Sequence, residues 1–240
     1  MNALVSWPVA RAGALEAAFS PVTLLLAAVL VVLPFLGGGA SSGAAWFSGF
    51  SALWLFLLVL RLGGRVLSGE VESGHAQLVL LRPVTRAQWV GGRLAGVALV
   101  FCAVGAAAWA TSFLLAILRG DASPLALRCA LLPLGLLPHL GWLATLVALS
   151  GVLGGWTSAA LLVAVRFGWF LLRGGLPALL PRWDLGPWLA AADGFFGPQD
   201  TFLAGSVRWD GVAWDVLWAL LAWLCAVLAF NRRELARRRP

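Results

Sequence analysis

From Cys129 to Val165 no side chain carries a formal charge, and residues 94–118 form a second run of the same kind. Such runs constrain the fold more than any motif. A helix that spans a bilayer needs about 20 consecutive, mostly apolar residues, and in lipid every backbone N–H and C=O must be satisfied within the protein. Composition points the same way: 61% of the 240 residues are hydrophobic and 11% are charged. Soluble domains carry roughly 25% charged residues. With a mean hydropathy of +0.92, the chain reads as an all-α integral membrane protein, one transmembrane domain over residues 1–240.

A ruler of about 20 apolar residues predicts six transmembrane helices, near 20–37, 46–64, 94–118, 125–147, 149–172 and 212–230. Pro34 and Gly37 to Gly39 are expected to end the first. The fourth and fifth are divided by length and by the Ser150-Gly151 and Gly154-Gly155 breaks. Net charge is +7, and every one of the 17 basic residues is Arg. Five lie between Arg61 and Arg93, and five more between Arg232 and Arg239. Basic residues at the ends of apolar runs follow the positive-inside rule and are no groove for phosphates, so nucleic acid is not an expected partner. An even number of spans puts both Arg-rich segments, and both termini, on the cytoplasmic side.

Segment 173–211 then faces outward. It sets Asp184, Asp193, Asp200 and Asp210 against Arg173, Arg182 and Arg208 and is rich in Trp and Phe. The composition suits an interfacial or re-entrant segment before the last span, built of short helices. At the other end, residues 1–19 lack the pattern of a cleaved signal, and 9–19 read as a short helix at the cytoplasmic interface. Cys102, Cys129 and Cys225 stand in apolar surroundings without metal or redox spacing and read as small core residues.

Between the second and third spans lies a charged island, residues 70–93, within a cytoplasmic region 65–93. Glu70 and Glu72 suit a helix N-terminus, Ala76 to Leu81 continue as a short helix, and Pro83 ends it. Leu78, Leu81 and Val84 offer an apolar face to the membrane domain or to a partner. Arg82, Arg86 and Arg93 reach water or acidic groups, and Trp89 anchors the next span at the interface.

Glu70, Gly74, Leu80-Leu81, Pro83, Val84-Thr85-Arg86 and Arg93, with Phe230 to Leu235 after the last span, resemble the membrane subunit of the ABC-2 family of ATP-binding-cassette transporters. His75-Ala76 departs from the Thr that commonly follows the Gly. The resemblance implies a permease of a bacterial or archaeal plasma membrane, more often an exporter, working as a homodimer or with a homologous permease. Two copies of a soluble ABC ATPase would bind below, carrying ATP and Mg2+. Glu70, Glu72, Gly74, Leu78, Leu81, Arg82, Pro83 and Arg86 would form the ATPase-coupling helix, and residues 231–240 a cytoplasmic tail. The chain has no Gly-rich loop ending in Gly-Lys-Ser/Thr and no lysine at all, so nucleotide chemistry falls to the partner.

Arg166 interrupts an apolar run and must be paired, snorkel to the interface or line a transport path. His75 and His139 do not make a metal site, which needs three or four ligands. Two other functions compete with transport: a membrane assembly or structural protein without cargo, and an intramembrane enzyme. The second is disfavoured because no Ser/His/Asp set, acid pair or His-rich cluster falls at a common depth.

Overall fold

The computed structural model describes residues 5–36, 43–64, 66–69, 84–120, 125–179, 188, 202–203, 206–207 and 209–237. Among them run seven helices: α1 (Trp7–Ala18), α2 (Pro21–Leu36), α3 (Gly43–Gly63), α4 (Arg86–Leu118), α5 (Leu125–Val152), α6 (Gly155–Leu179) and α7 (Trp209–Arg237). Two short strands, β1 (Phe202–Leu203) and β2 (Ser206–Val207), pair antiparallel ahead of α7.

Local chemistry sets the helix ends. Thr85 and Gln88 close a capping box at the start of α4. The Gln88 N–H donates to Thr85 Oγ1 (3.2 Å) and the Thr85 N–H to Gln88 Oε1 (2.9 Å), satisfying two donors that the first turn would leave open. At its other end Gly120 takes φ +71°, a left-handed conformation that a side chain disfavours. Between α1 and α2 the chain turns by 72°. Pro21 has no N–H to continue the first helix and drives Ser20 out of helical geometry. The Arg61 guanidinium donates to Ser20 Oγ and ties this break to the last turn of α3.

Helices α4 and α5 lie at the centre. Val97 and Phe101 of α4 and Leu136, Leu143 and Leu146 of α5 form one core with Leu30 of α2, Leu55, Leu58, Val59 and Leu62 of α3, and Leu162 of α6. A second cluster joins Leu67, Trp89, Val90, Val147, Ala148, Ala226 and Phe230. Lipid tails are as apolar as leucine, so close contact between helices has to supply what the hydrophobic effect does not. Glycines provide it. A Cβ on Gly96 would stand 2.4 Å from the Ala10 carbonyl oxygen, and one on Gly105 2.5 Å from Leu136 Cδ2.

The outward surface is apolar. Val216, Leu217, Leu220, Leu221, Leu224 and Leu228 line one side of α7, and Val163, Phe167, Phe170, Leu171 and Leu172 stand out from α6, all exposed. In water such patches would drive association; on helices of this length they are the surface that lipid covers. The chain is a helical, multi-pass membrane protein.

Six spans, however, are not found. Among the described residues four helices are long and apolar enough to cross a membrane: Arg86–Leu118, Pro133–Val152, Gly155–Arg173 and Trp209–Phe230. A fifth is counted only if the bent pair Trp7–Ala18 and Pro21–Val32 is one broken span. The expected first span is thus the second arm of a helix pair broken at Pro21. The expected second falls on α3, of which Leu53–Gly63 is counted as a shorter apolar helix rather than a span. Other boundaries move as well. α2 passes through Pro34, and α4 begins at Arg86, eight positions ahead of expectation. α5 runs through Ser150-Gly151 and ends before Gly154-Gly155. Pro133 and Pro138 lie inside α5, where neighbouring helices make such interruptions tolerable.

Candidate functional site

Seven of the eight expected coupling residues, Glu70, Glu72, Gly74, Leu78, Leu81, Arg82 and Pro83, lie outside the described residues. Arg86 is the first residue of α4, immediately after the Thr85 cap. What the structure gives is the rooting of the island on both sides. Upstream, Leu67 and Ser68 are buried. Leu67 reaches the end of α5, where a Cβ on Gly151 would meet its Cδ1 at 3.3 Å. Gly64 lies against the start of α6, a Cβ there falling 3.4 Å from the Gly155 carbonyl oxygen. Downstream, Val84 packs on the second cluster, and Trp89 stacks on Phe230 of α7 with ring centres 4.8 Å apart.

Trp89 is therefore no interface anchor. It is 1% exposed, because the end of α7 covers it. Arg93 does meet an acidic group: its Nη1 donates to Glu16 Oε2 of α1 at 2.9 Å. The Ser6 N–H donates to the Gln88 carbonyl at 3.3 Å, and Val9 faces Gly92, so α1 lies along the first turns of α4. One end of the bundle thus gathers α1, the end of α3, the start of α4, the α5–α6 junction and the end of α7.

Arg166 lies on the exposed outer part of α6. Its Cζ is 5.1 Å from the ring centre of Phe56 on α3 and 5.1 Å from that of Trp142 on α5. Both distances are inside the range in which a ring quadrupole attracts a cation. Through this aromatic seat Arg166 joins α6 to α3 and α5.

Sequence reasoning passed over Asp215. It is 0% exposed and belongs to the buried stripe Gly211, Asp215, Ala222, Ala226 and Phe230 that α7 turns toward its neighbours. One turn on, Trp218 Nε1 donates to Thr145 Oγ1 of α5 at 2.7 Å, and that hydroxyl donates to the Gly141 carbonyl at 2.9 Å. The signal was present: a lone acid inside an apolar run, in register with small residues at helical spacing. An intramembrane carboxylate costs enough that its retention points to function.

His139 stacks on Phe101 at 6.2 Å, and its Nδ1 lies 3.1 Å from the Gly135 carbonyl, a packed and hydrogen-bonded residue. Cys225 points outward from α7 rather than into the core, Cys102 is half-buried, and the Cys129 side chain lies outside the described residues. Among the described residues no three His, Cys, Asp or Glu side chains gather as a metal site. Comparison with known proteins returns no matching family model and no matching curated protein.

Proposed function

We propose that the chain is the membrane subunit of an ATP-driven transporter of the ABC-2 type, moving cargo outward across a bacterial or archaeal plasma membrane. Its energy comes from two copies of a separate soluble ATPase, and a second permease completes the complex. Residues 70–86 receive the ATPase, both termini lie on the cytoplasmic side, and residues 173–211 face outward. One observation supports the reading above the motif itself: the segment that would be pushed is flanked on both sides by residues of one buried cluster, which joins three helices. Leu67 and Trp89 share that cluster with Val147 and Phe230. A displacement of the segment then shifts packing in α4, α5 and α7 together, as rigid-body coupling requires.

Replacing Leu78 and Leu81 together by Asp tests it. Two charges placed in a contact that excludes water would weaken ATPase docking by about 2–5 kcal/mol. Correct membrane insertion of the variant is checked first, and ATPase binding, hydrolysis and transport are then followed separately. Loss of binding supports docking at this surface, and retained binding with lost transport assigns transmission to it. Normal binding with normally coupled transport contradicts the assignment.

A further inference from the structure

Helix α1 presents two unlike sides. Ala10 and Gly13 are buried against α4. The other side carries Trp7, Arg11 and Leu15, four apart and so along one stripe, with Phe19 at the helix end. Trp7 is 65% exposed, Leu15 50% and Phe19 74%, and Arg11 is exposed among them. The one acid of α1, Glu16, is paired with Arg93, and among the described residues no ion pair or hydrogen bond engages Arg11. What covers this stripe follows from its depth. α1 touches α4 at Gln88, Gly92, Arg93 and Gly96, near the start of a 33-residue helix. Such a helix is about 50 Å long, whereas the hydrocarbon core takes about 30 Å. The charge-free run 94–118 fills that core, so the turns from Arg86 to Arg93, and α1 with them, stand at the headgroup layer. With 12 residues, α1 is too short to cross. It turns by 72° into α2, whose Val22 and Leu25 continue the exposed apolar surface beyond Phe19.

We propose that the outer stripe of α1 docks on the headgroup layer of a membrane containing acidic phospholipid. Trp7, Leu15 and Phe19 enter the boundary between headgroups and acyl chains, where the Trp, Phe and Leu side chains of surface-lying helices reside. Arg11, among them, donates to lipid phosphate oxygens, and a cation at that depth favours anionic over zwitterionic lipid. A protein partner fits less well: the stripe runs on into the apolar side of α2, so a protein seated on it would have to displace lipid from both. The docking concerns this chain alone and requires neither ATP nor an ATPase.

The test uses the full chain with Cys102, Cys129 and Cys225 replaced by Ala and a bimane label on Leu15→Cys, in phosphatidylcholine nanodiscs without ATPase or ATP. A nitroxide near the top of a lipid's acyl chain should quench the label more than one at the chain end, and more than iodide in the water. Carried on phosphatidylglycerol, the shallow nitroxide should quench about fivefold more per lipid than on phosphatidylcholine, the scale of one basic residue at an anionic surface. Arg11→Gln should abolish that preference and Arg11→Lys keep it. Added salt should weaken it as well, a check that needs no variant. Quenching by iodide in place of lipid puts the stripe in water, and protection from both puts it against another protein; either overturns the proposal. So does equal quenching by the two lipids, or a preference that survives Arg11→Gln or is indifferent to salt. Since no ATPase is present, failure here leaves the permease assignment standing, and failure of ATPase pairing leaves this result unchanged.

Discussion

Thr145 shows how single side chains decide the packing of this protein. Its hydroxyl accepts from Trp218 Nε1 and donates to the Gly141 carbonyl, joining α5 to α7 with both roles of one oxygen. Thr145→Val keeps the shape and strands the indole N–H, at a cost of about 1–3 kcal/mol. A lower thermal midpoint in detergent, restored by Thr145→Ser, is the expected result. The Arg93–Glu16 pair is a contrast: Glu16 is 72% exposed, and such pairs contribute about 0–1 kcal/mol. Glu16→Gln should leave the midpoint nearly unmoved. Residues of this kind were unevenly legible. Arg166 announced itself as a charge in an apolar run, but its seat on Phe56 and Trp142 depends on three helices meeting, which no spacing encodes. Trp89 was misplaced for the same reason. An indole near a span end suits the interface, and only the return of α7 to cover it with Phe230 makes it core.

Helix α1 owes its place to glycine. Gly92 and Gly96 stand four apart on α4 and let the α1 backbone approach so closely that a Cβ at Gly96 would collide with the Ala10 carbonyl. Gly96→Leu should lift α1 away. In a background without native cysteines, Ser6→Cys and Gln88→Cys should form a cross-link, since their backbones are hydrogen-bonded, and adding Gly96→Leu should abolish it. Cross-linking that survives the leucine would mean that α1 is held by something other than this groove. A milder change at the same end is Thr85→Ala, which removes half of the capping box and costs about 1 kcal/mol. A helix before the first span was readable from Arg11 and Glu16 among small residues. Its bend at Pro21 was not, because apolar character continues across the break and the hydropathy ruler does not see direction.

Across the whole molecule, membrane residence followed from composition, and the apolar outer surfaces of α6 and α7 carry it. The count of spans did not follow. Length and hydropathy assign a crossing to any sufficiently long apolar run, whereas among the described residues four helices meet the requirement alone and a fifth only as a bent pair. The charged island was legible as a motif, and the structure adds the buried residues Leu67 and Trp89 near its two ends. The transporter reading proposed above makes one demand: a separate ATPase subunit that works with this chain. Affinity purification of the full-length chain from its native membrane, followed by ATP hydrolysis and native mass measurement on the complex, tests that demand most directly. The account predicts a co-purifying soluble ATPase in two copies beside two permease chains, with hydrolysis that disappears when Leu78 and Leu81 are both changed to Asp. A correctly inserted wild-type protein that purifies intact and active with no ATPase and no ATP hydrolysis would contradict it.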